Sequence, residues 1–230
     1  MPSSPKQPLG KTYGLTLAEC AENAEKDSVP AVMVSLTDAV LRCGGATTEG
    51  IFRIPADRGE VEALKARLDK LDFDIPGTDP HVPAGALKLW LRELKDPLIP
   101  DSLYDDCLAL GADPDTDAAR KFLDRLPPLN RRVVSHMCRF LAEFAREENA
   151  LVSKMSAPNL AMVFAPGFLR YAGDNPAALL TNNNNEKACV LQFIELEMED
   201  EAAVRAGRDP ALSHMSEVDL GLNNNGGSED

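Results

Sequence analysis

Four polar residues of this sequence sit where residue type and neighbours together suggest chemistry: Arg53, Lys88, Arg92 and Asn159. Arg53 closes the stretch Thr48-Glu49-Gly50-Ile51-Phe52-Arg53, which falls between two helical patterns. Apolar Ile51 and Phe52 on one side and Pro55 on the other hold it, so it reads as a positioned arginine on a loop. Lys88 and Arg92 lie four apart on a predicted helix and share a face. Two like charges at that spacing cost about 0.2–0.5 kcal/mol unless something anionic lies nearby. Each cation taken alone reads as an ordinary solvated surface charge, because charged side chains are rarely buried. Asn159 follows a proline inside an apolar segment, where a helix cap or a core-satisfying amide is the plain reading.

Several other chemistries are excluded. Gly45 to Gly50 spaces two glycines as a P-loop does, but Ile51 and Phe52 stand where that loop needs Lys and Ser/Thr for phosphate and Mg²⁺. No strand pattern precedes it, so it reads as a helix-ending turn. The sequence has no G-x-S-x-G, no H-E-x-x-H and no kinase-type catalytic loop. No carboxylate pairs with another in an apolar setting that would raise a pKa, so the acids read as a solvated surface.

That surface is extensive. Lys plus Arg number 24 against 37 Asp plus Glu, a net charge of −13 over 230 residues. Such a balance argues against nucleic acid, whose binding rests on neutralising phosphates, and against an anionic membrane as a general partner. A local basic patch stays open. Hydrophobic residues at 44% and charged residues at 27% are the proportions of a globular protein large enough for a sizeable core. Five cysteines, Cys20, Cys43, Cys107, Cys138 and Cys189, are odd in number, widely spaced and without C-x-x-C. With three scattered histidines they build no zinc framework, and buried, reduced thiols in a cytoplasmic protein are expected. Met1 to Lys11 has no apolar core of a signal peptide. No run of roughly 18 apolar residues occurs, so no transmembrane segment is expected.

The elements that must position the four residues are helical. A helix starts near Ser28-Val29-Pro30, carries Val32, Met33, Leu36 and Val40, and stops at Gly44-Gly45. Asp57 and Glu60 have capping-box spacing ahead of Val61, Leu64, Leu68 and Leu71. Pro76 to Pro80 reads as a loop, and Pro83 opens a third helix with Leu87, Leu91 and Leu94 inward and Trp90 beside them. Shorter pieces cover Leu103–Leu110 and Ala118–Leu126. Pro127-Pro128 starts a helix with Val133, Met137, Phe140 and Phe144 in its stripe, Asn149–Ser153 reads as a turn, and Met155–Phe168 is mostly apolar. Asn182–Asn185 reads as a low-complexity loop before a last helix over Lys187–Glu201. No alternating pattern is long enough for a sheet. The expectation is an all-α, single-domain helical bundle over residues 13–203, with a flexible lead at 1–12 and a disordered acidic tail at 204–230.

Three blocks then carry a resemblance. Thr48-Glu49-Gly50-Ile51-Phe52-Arg53-Ile54 resembles the arginine-loop signature of the RhoGAP family, the Rho-type GTPase-activating domain. Lys88-Leu89-Trp90-Leu91-Arg92-Glu93-Leu94, followed by Pro97-Leu98, resembles its second block. Met155 and Asn159-Leu160-Ala161-Met162-Val163-Phe164-Ala165-Pro166 resemble its third. The blocks come in the family's order, and the match covers roughly Gly14 to Glu201. Asp79-Pro80-His81-Val82-Pro83-Ala84 is similar to the Vilse/CrossGAP branch. Pro55-Ala56 after the arginine block, Lys95, and Ala165 in place of the usual glycine depart from the pattern. Alanine there would cost about 1 kcal/mol if φ had to be positive.

The resemblance implies a helical bundle that binds a GTP-loaded Rho-family small GTPase of the Rho, Rac or Cdc42 type and speeds its hydrolysis. It is then no enzyme by itself. Arg53 is the implied arginine finger, acting in trans. Lys88 and Arg92 are implied to support the finger loop and the GTPase's switch regions, and Asn159 to hydrogen-bond at the same junction. GTP and Mg²⁺ belong to the partner, and the chain needs no cofactor or metal of its own. A monomer is expected, cytoplasmic and brought to membranes through its partners. The alternative is a catalytically silent module that docks a GTPase or another signalling partner. Such modules usually lack the loop arginine.

Overall fold

In the computed structural model, residues 10–22, 29–77, 79–173 and 176–207 are described. Ten α-helices follow one another with no strand among the described residues: α1 Leu17–Ala21, α2 Ala31–Arg42, α3 Arg58–Leu68, α4 His81–Glu93, α5 Tyr104–Ala112, α6 Thr116–Arg125, α7 Pro128–Ala145, α8 Glu147–Ser153, α9 Ala157–Phe168 and α10 Pro176–Arg205. The all-α bundle expected from the helical stripes is therefore the observed architecture.

Local chemistry sets the helix starts. The Thr16 hydroxyl and the Glu19 carboxylate cap α1 reciprocally, which satisfies two otherwise orphaned N–H groups. The Asp57 carboxylate accepts from Glu60 N at 2.9 Å to start α3, and Pro128 occupies the first turn of α7, where no N–H is needed. α4 begins at His81, two residues before the predicted start at Pro83. Asp79 Oδ1 accepts from His81 N at 2.9 Å, and a proline inside the first turn breaks no helical hydrogen bond. Residue 12 is part of the folded body: Thr12 N–H donates to Asp69 Oδ1 at 2.7 Å, and Trp90 Nε1–H donates to the Thr12 carbonyl at 3.0 Å. Most of the predicted lead and nearly all of the predicted tail lie outside the described residues.

α10 is the long support of the bundle, packed against α5, α7 and α9. The asparagine run was expected as a loop, but Asn182–Asn185 is helical within α10. Packing overrides the weak propensity of asparagine. Asn182 Nδ2–H donates to Tyr104 Oη at 3.2 Å, and Tyr104 Oη–H donates to the buried Glu186 at 2.5 Å. Gly111 lets the two helices meet, since a Cβ there would stand 2.0 Å from the Asn185 carbonyl oxygen. Gly111→Ala gains about 1 kcal/mol of helix propensity. It must nonetheless separate two backbones, at an overpacking cost of about 1–3 kcal/mol or more. Net destabilisation in urea unfolding is the expected result, and a midpoint at or above wild type would refute this packing account.

The same contact corrects the expectation of five reduced thiols. Cys107 on α5 and Cys189 on α10, 82 residues apart in sequence, form a disulfide with a Cα–Cα distance of 6.0 Å. Helix packing brings them together without any spacing motif. Cys20, Cys43 and Cys138 are free. Asn149–Ser153, expected as a turn, belongs to the short helix α8, which ends with Lys154 in the left-handed conformation.

Candidate functional site

The arginine loop is a tight turn fastened at three points. Gly50 N–H donates to the Ser153 carbonyl at 2.7 Å, tying the base of the loop to the end of α8. The Gly50 carbonyl accepts from Arg53 N at 2.9 Å and Ile54 N at 2.8 Å, which closes the turn. Gly50 has φ 69°, a conformation that costs glycine little. Phe52 has φ 65°, uncommon for a bulky side chain and held only where packing imposes it. Its ring is 1% exposed. Phe140, Phe144 and Phe164 meet it edge-on at centroid distances of 5.8, 4.9 and 5.0 Å. Phe52 thus anchors the loop in the core, and the next residue, Arg53, is turned out to solvent.

The third fastening comes from α4. Lys88 donates its ammonium to the Phe52 carbonyl, the peptide oxygen immediately before Arg53. Burial first, and the Arg92 guanidinium second, push the Lys88 pKa below its ordinary value. The like-charge pair read from the four-residue spacing is thus a physical interaction. The two residues nevertheless differ. Arg92 is exposed, whereas Lys88 is half-buried. The end of α4 is itself held by Arg170, whose guanidinium donates to the Leu91 carbonyl at 2.7 Å and also to that of Leu94.

Arg53, Lys88 and Arg92 line one groove of about 750 Å³, together with Pro55 and with Val163 and Pro166 of α9. Arg58, at the start of α3, adds a fourth cation, and Glu62 is the one carboxylate among the described lining residues. Among the described residues no carboxylate is paired with Arg53, Lys88 or Arg92, in a chain of net charge −13. A groove of uncompensated cations with apolar walls can receive an anion carried on an apolar surface.

Asn159 does not line that groove. Its Nδ2–H donates to the Lys154 carbonyl at 3.1 Å and braces the junction between α8 and α9. Lys154 adjoins Ser153, which holds Gly50, so Asn159 stands behind the base of the arginine loop. Ala165 lies inside α9, buried and without positive φ, so its replacement of glycine carries no backbone penalty. Sequence reasoning missed Arg58 and Arg170. Arg58 has no signal beyond its charge, and the partners of Arg170 lie more than seventy residues away.

The RhoGAP domain pattern matches residues 30–173, which contain the arginine loop, α4 and α9. The chain belongs to the RhoGAP domain family. GTPase activating protein homolog 2 of Dictyostelium discoideum is 37% identical over 179 residues, which cover 75% of this chain and 20% of that protein. Mouse Rho GTPase-activating protein 25 is 34% identical over 185 residues, covering 75% of this chain and 28% of that protein. This RhoGAP chain therefore spans only a fraction of the length of the curated relatives it matches. The crystal structure of human Rho GTPase activating protein 15 superposes with a TM-score of 0.73 over 82% of this chain and 90% of that one, at 22% identity. At that identity the likeness concerns the fold. No described helix is long and apolar enough to cross a membrane.

The Lys88 ammonium holds the chain's own arginine loop. Lys88→Met keeps the aliphatic stem and leaves the Phe52 carbonyl without its donor. Losing a hydrogen bond to a charged group costs roughly 1.5–3 kcal/mol. Equilibrium unfolding should show a measurable loss of stability in Lys88→Met and none beyond about 0.5 kcal/mol in Arg92→Met, a surface change. Equal stability of all three proteins would refute the fastening.

Proposed function

We propose that this RhoGAP domain binds a GTP-loaded Rho-family small GTPase and accelerates its GTP hydrolysis with Arg53 as an arginine finger in trans. The observation that carries this reading is the convergence in one groove of Arg53, Lys88 and Arg92, none of them ion-paired with a carboxylate among the described residues. Arg53 supplies a fixed fork of donors with a permanent charge, suited to the charge that develops on the γ-phosphate and leaving oxygen. Lys88 and the Phe52 ring set where that fork projects, Arg92 meets the partner, and Asn159 steadies the loop base from behind. The names of the relatives support the activity. The nucleotide, Mg²⁺ and the residue that orients the attacking water belong to the GTPase, so the domain needs no cofactor of its own. The segment Asp79–Ala84 supports placement near the Vilse/CrossGAP branch. Single-turnover GTP hydrolysis with purified Rho, Rac and Cdc42 types tests the proposal. Stimulation of at least one is expected. Binding without stimulation across the panel would instead make the domain a docking module.

A further inference from the structure

Helix α7 carries a second cationic cluster, away from the groove around Arg53. Arg132, Ser135, His136 and Arg139 fall on one face of α7, at the steps of three and four that bring helical side chains together. With Arg131 and with Val29, just before α2, they line a concavity of about 330 Å³ with no carboxylate among its described lining residues. It shares no lining residue with the Arg53 groove.

The cations here are poorly compensated. Arg131 pairs with Asp124 at 2.7 Å, but both side chains are more than half exposed, and such pairs are weak and readily exchanged. Arg132 makes no hydrogen bond or ion pair among the described residues, and its buried Nε has no partner. Among the described residues Arg139 makes one hydrogen bond, to the Ser135 hydroxyl oxygen at 3.5 Å. Ser135 donates its own proton to Glu197 at 2.8 Å, and that carboxylate, though near enough to feel the Arg139 charge, forms no ion pair with it among the described residues. Asp38 and Glu143 line an adjoining groove that His136 and Arg139 also border; among the described residues neither is ion-paired with Arg132 or Arg139, and Glu143 pairs with Arg146. Arg132 and Arg139 lie seven residues apart, about two turns, and so border the concavity from the same side of α7.

We propose that this concavity binds a phosphate ester, with Arg132 and Arg139 as the recognising groups and Arg131 as a third donor exchanged from Asp124. A single carboxylate would satisfy one guanidinium fork. A phosphate group offers three oxygens and up to two charges, which matches converging forks. The volume suits a small ligand, so a soluble inositol phosphate and the same headgroup on a lipid share the required chemistry. The net charge of −13 disfavours diffuse attraction to an anionic surface, so recognition rests on the site itself.

The test uses the full chain. Calorimetric titration with inositol 1,4,5-trisphosphate should show saturable binding that weakens with added salt. In the wild-type protein, the Arg132 Nε–H resonance should shift with the same saturation. The double variant Arg132→Gln/Arg139→Gln should bind roughly ten- to hundred-fold more weakly, the effect of losing hydrogen bonds to a charged group. Stimulated GTP hydrolysis should not change in that variant, whereas Arg53→Ala should bind the inositol phosphate like wild type. These two controls separate the site from the GTPase reading. Vesicles of phosphatidylcholine with and without phosphatidylinositol 4,5-bisphosphate distinguish the sources. Co-sedimentation only with the phosphorylated lipid assigns a headgroup, and binding of the free inositol phosphate alone assigns a soluble ligand. Absence of binding to both probes, or equal affinity in wild type and the double variant together with an unmoved Arg132 resonance, overturns the proposal.

Discussion

Arg53→Ala is expected to lose most of the stimulated GTP hydrolysis while still binding the GTP-loaded partner. Arg53 projects from its loop with no carboxylate paired to it among the described residues, so its guanidinium is available to a partner's phosphates. The charge it would meet exists mainly in the transition state, and a group matched to that charge contributes to rate more than to ground-state affinity. Arginine fingers as a class are worth roughly 10³–10⁵ in rate. Arg53→Ala should also fail to form the stable complex that wild type makes with a GDP–aluminium fluoride GTPase, since that ligand imitates the transferring phosphoryl group. Arg53→Lys should remain badly impaired, because an ammonium keeps the charge but loses the fork. Single-turnover hydrolysis beside equilibrium binding separates these effects. Equal stimulation by wild type and Arg53→Ala would refute the finger.

The positions of Arg53, Lys88 and Arg92 were legible in the sequence for a local reason. The arginine follows its own apolar anchor, and the two α4 cations are related by helical periodicity. Neither fact needs knowledge of distant contacts. The helical stripes were legible on the same basis. What escaped depends on which elements meet. No local signal puts the Lys88 ammonium on the Phe52 carbonyl, 36 residues away; only the resemblance implied a contact with the finger loop. The Asn182–Asn185 run has loop composition, and only the packing of α10 on Gly111 and Tyr104 makes it helical. The Cys107–Cys189 pair is invisible for the same reason, since no spacing encodes the contact of α5 with α10. His81 as the first residue of α4 was lost to a proline rule that locates a helix start only to within the first turn.

Phe52→Ala carries the second large effect, and it joins stability to function. Replacing a buried phenylalanine by alanine costs about 3–5 kcal/mol, a large share of the roughly 5–15 kcal/mol that holds a domain together. Phe52 touches three other rings, Phe140, Phe144 and Phe164, so the site cannot collapse without moving α7 and α9. The left-handed backbone at residue 52 stays unfavourable for alanine, so removing the ring takes away the hold and keeps the strain. The loop should therefore relax, and the Lys88 bond to the Phe52 carbonyl with it. For a domain of this size each kcal/mol moves Tm by about 2–4 °C, so a fall of roughly 6–20 °C is expected in thermal unfolding. Phe52→Leu, which retains much of the buried area, should recover most of that stability. Stimulated hydrolysis, measured well below the lowered Tm, should fall in Phe52→Ala by more than GTPase binding does, because the finger is displaced while Arg92 and the groove walls remain. A wild-type Tm in Phe52→Ala would contradict the ring cluster as the anchor. A lowered Tm with undiminished stimulation would leave the ring a core residue only, and the aim of Arg53 would then rest on Lys88 and the Gly50–Ser153 tether.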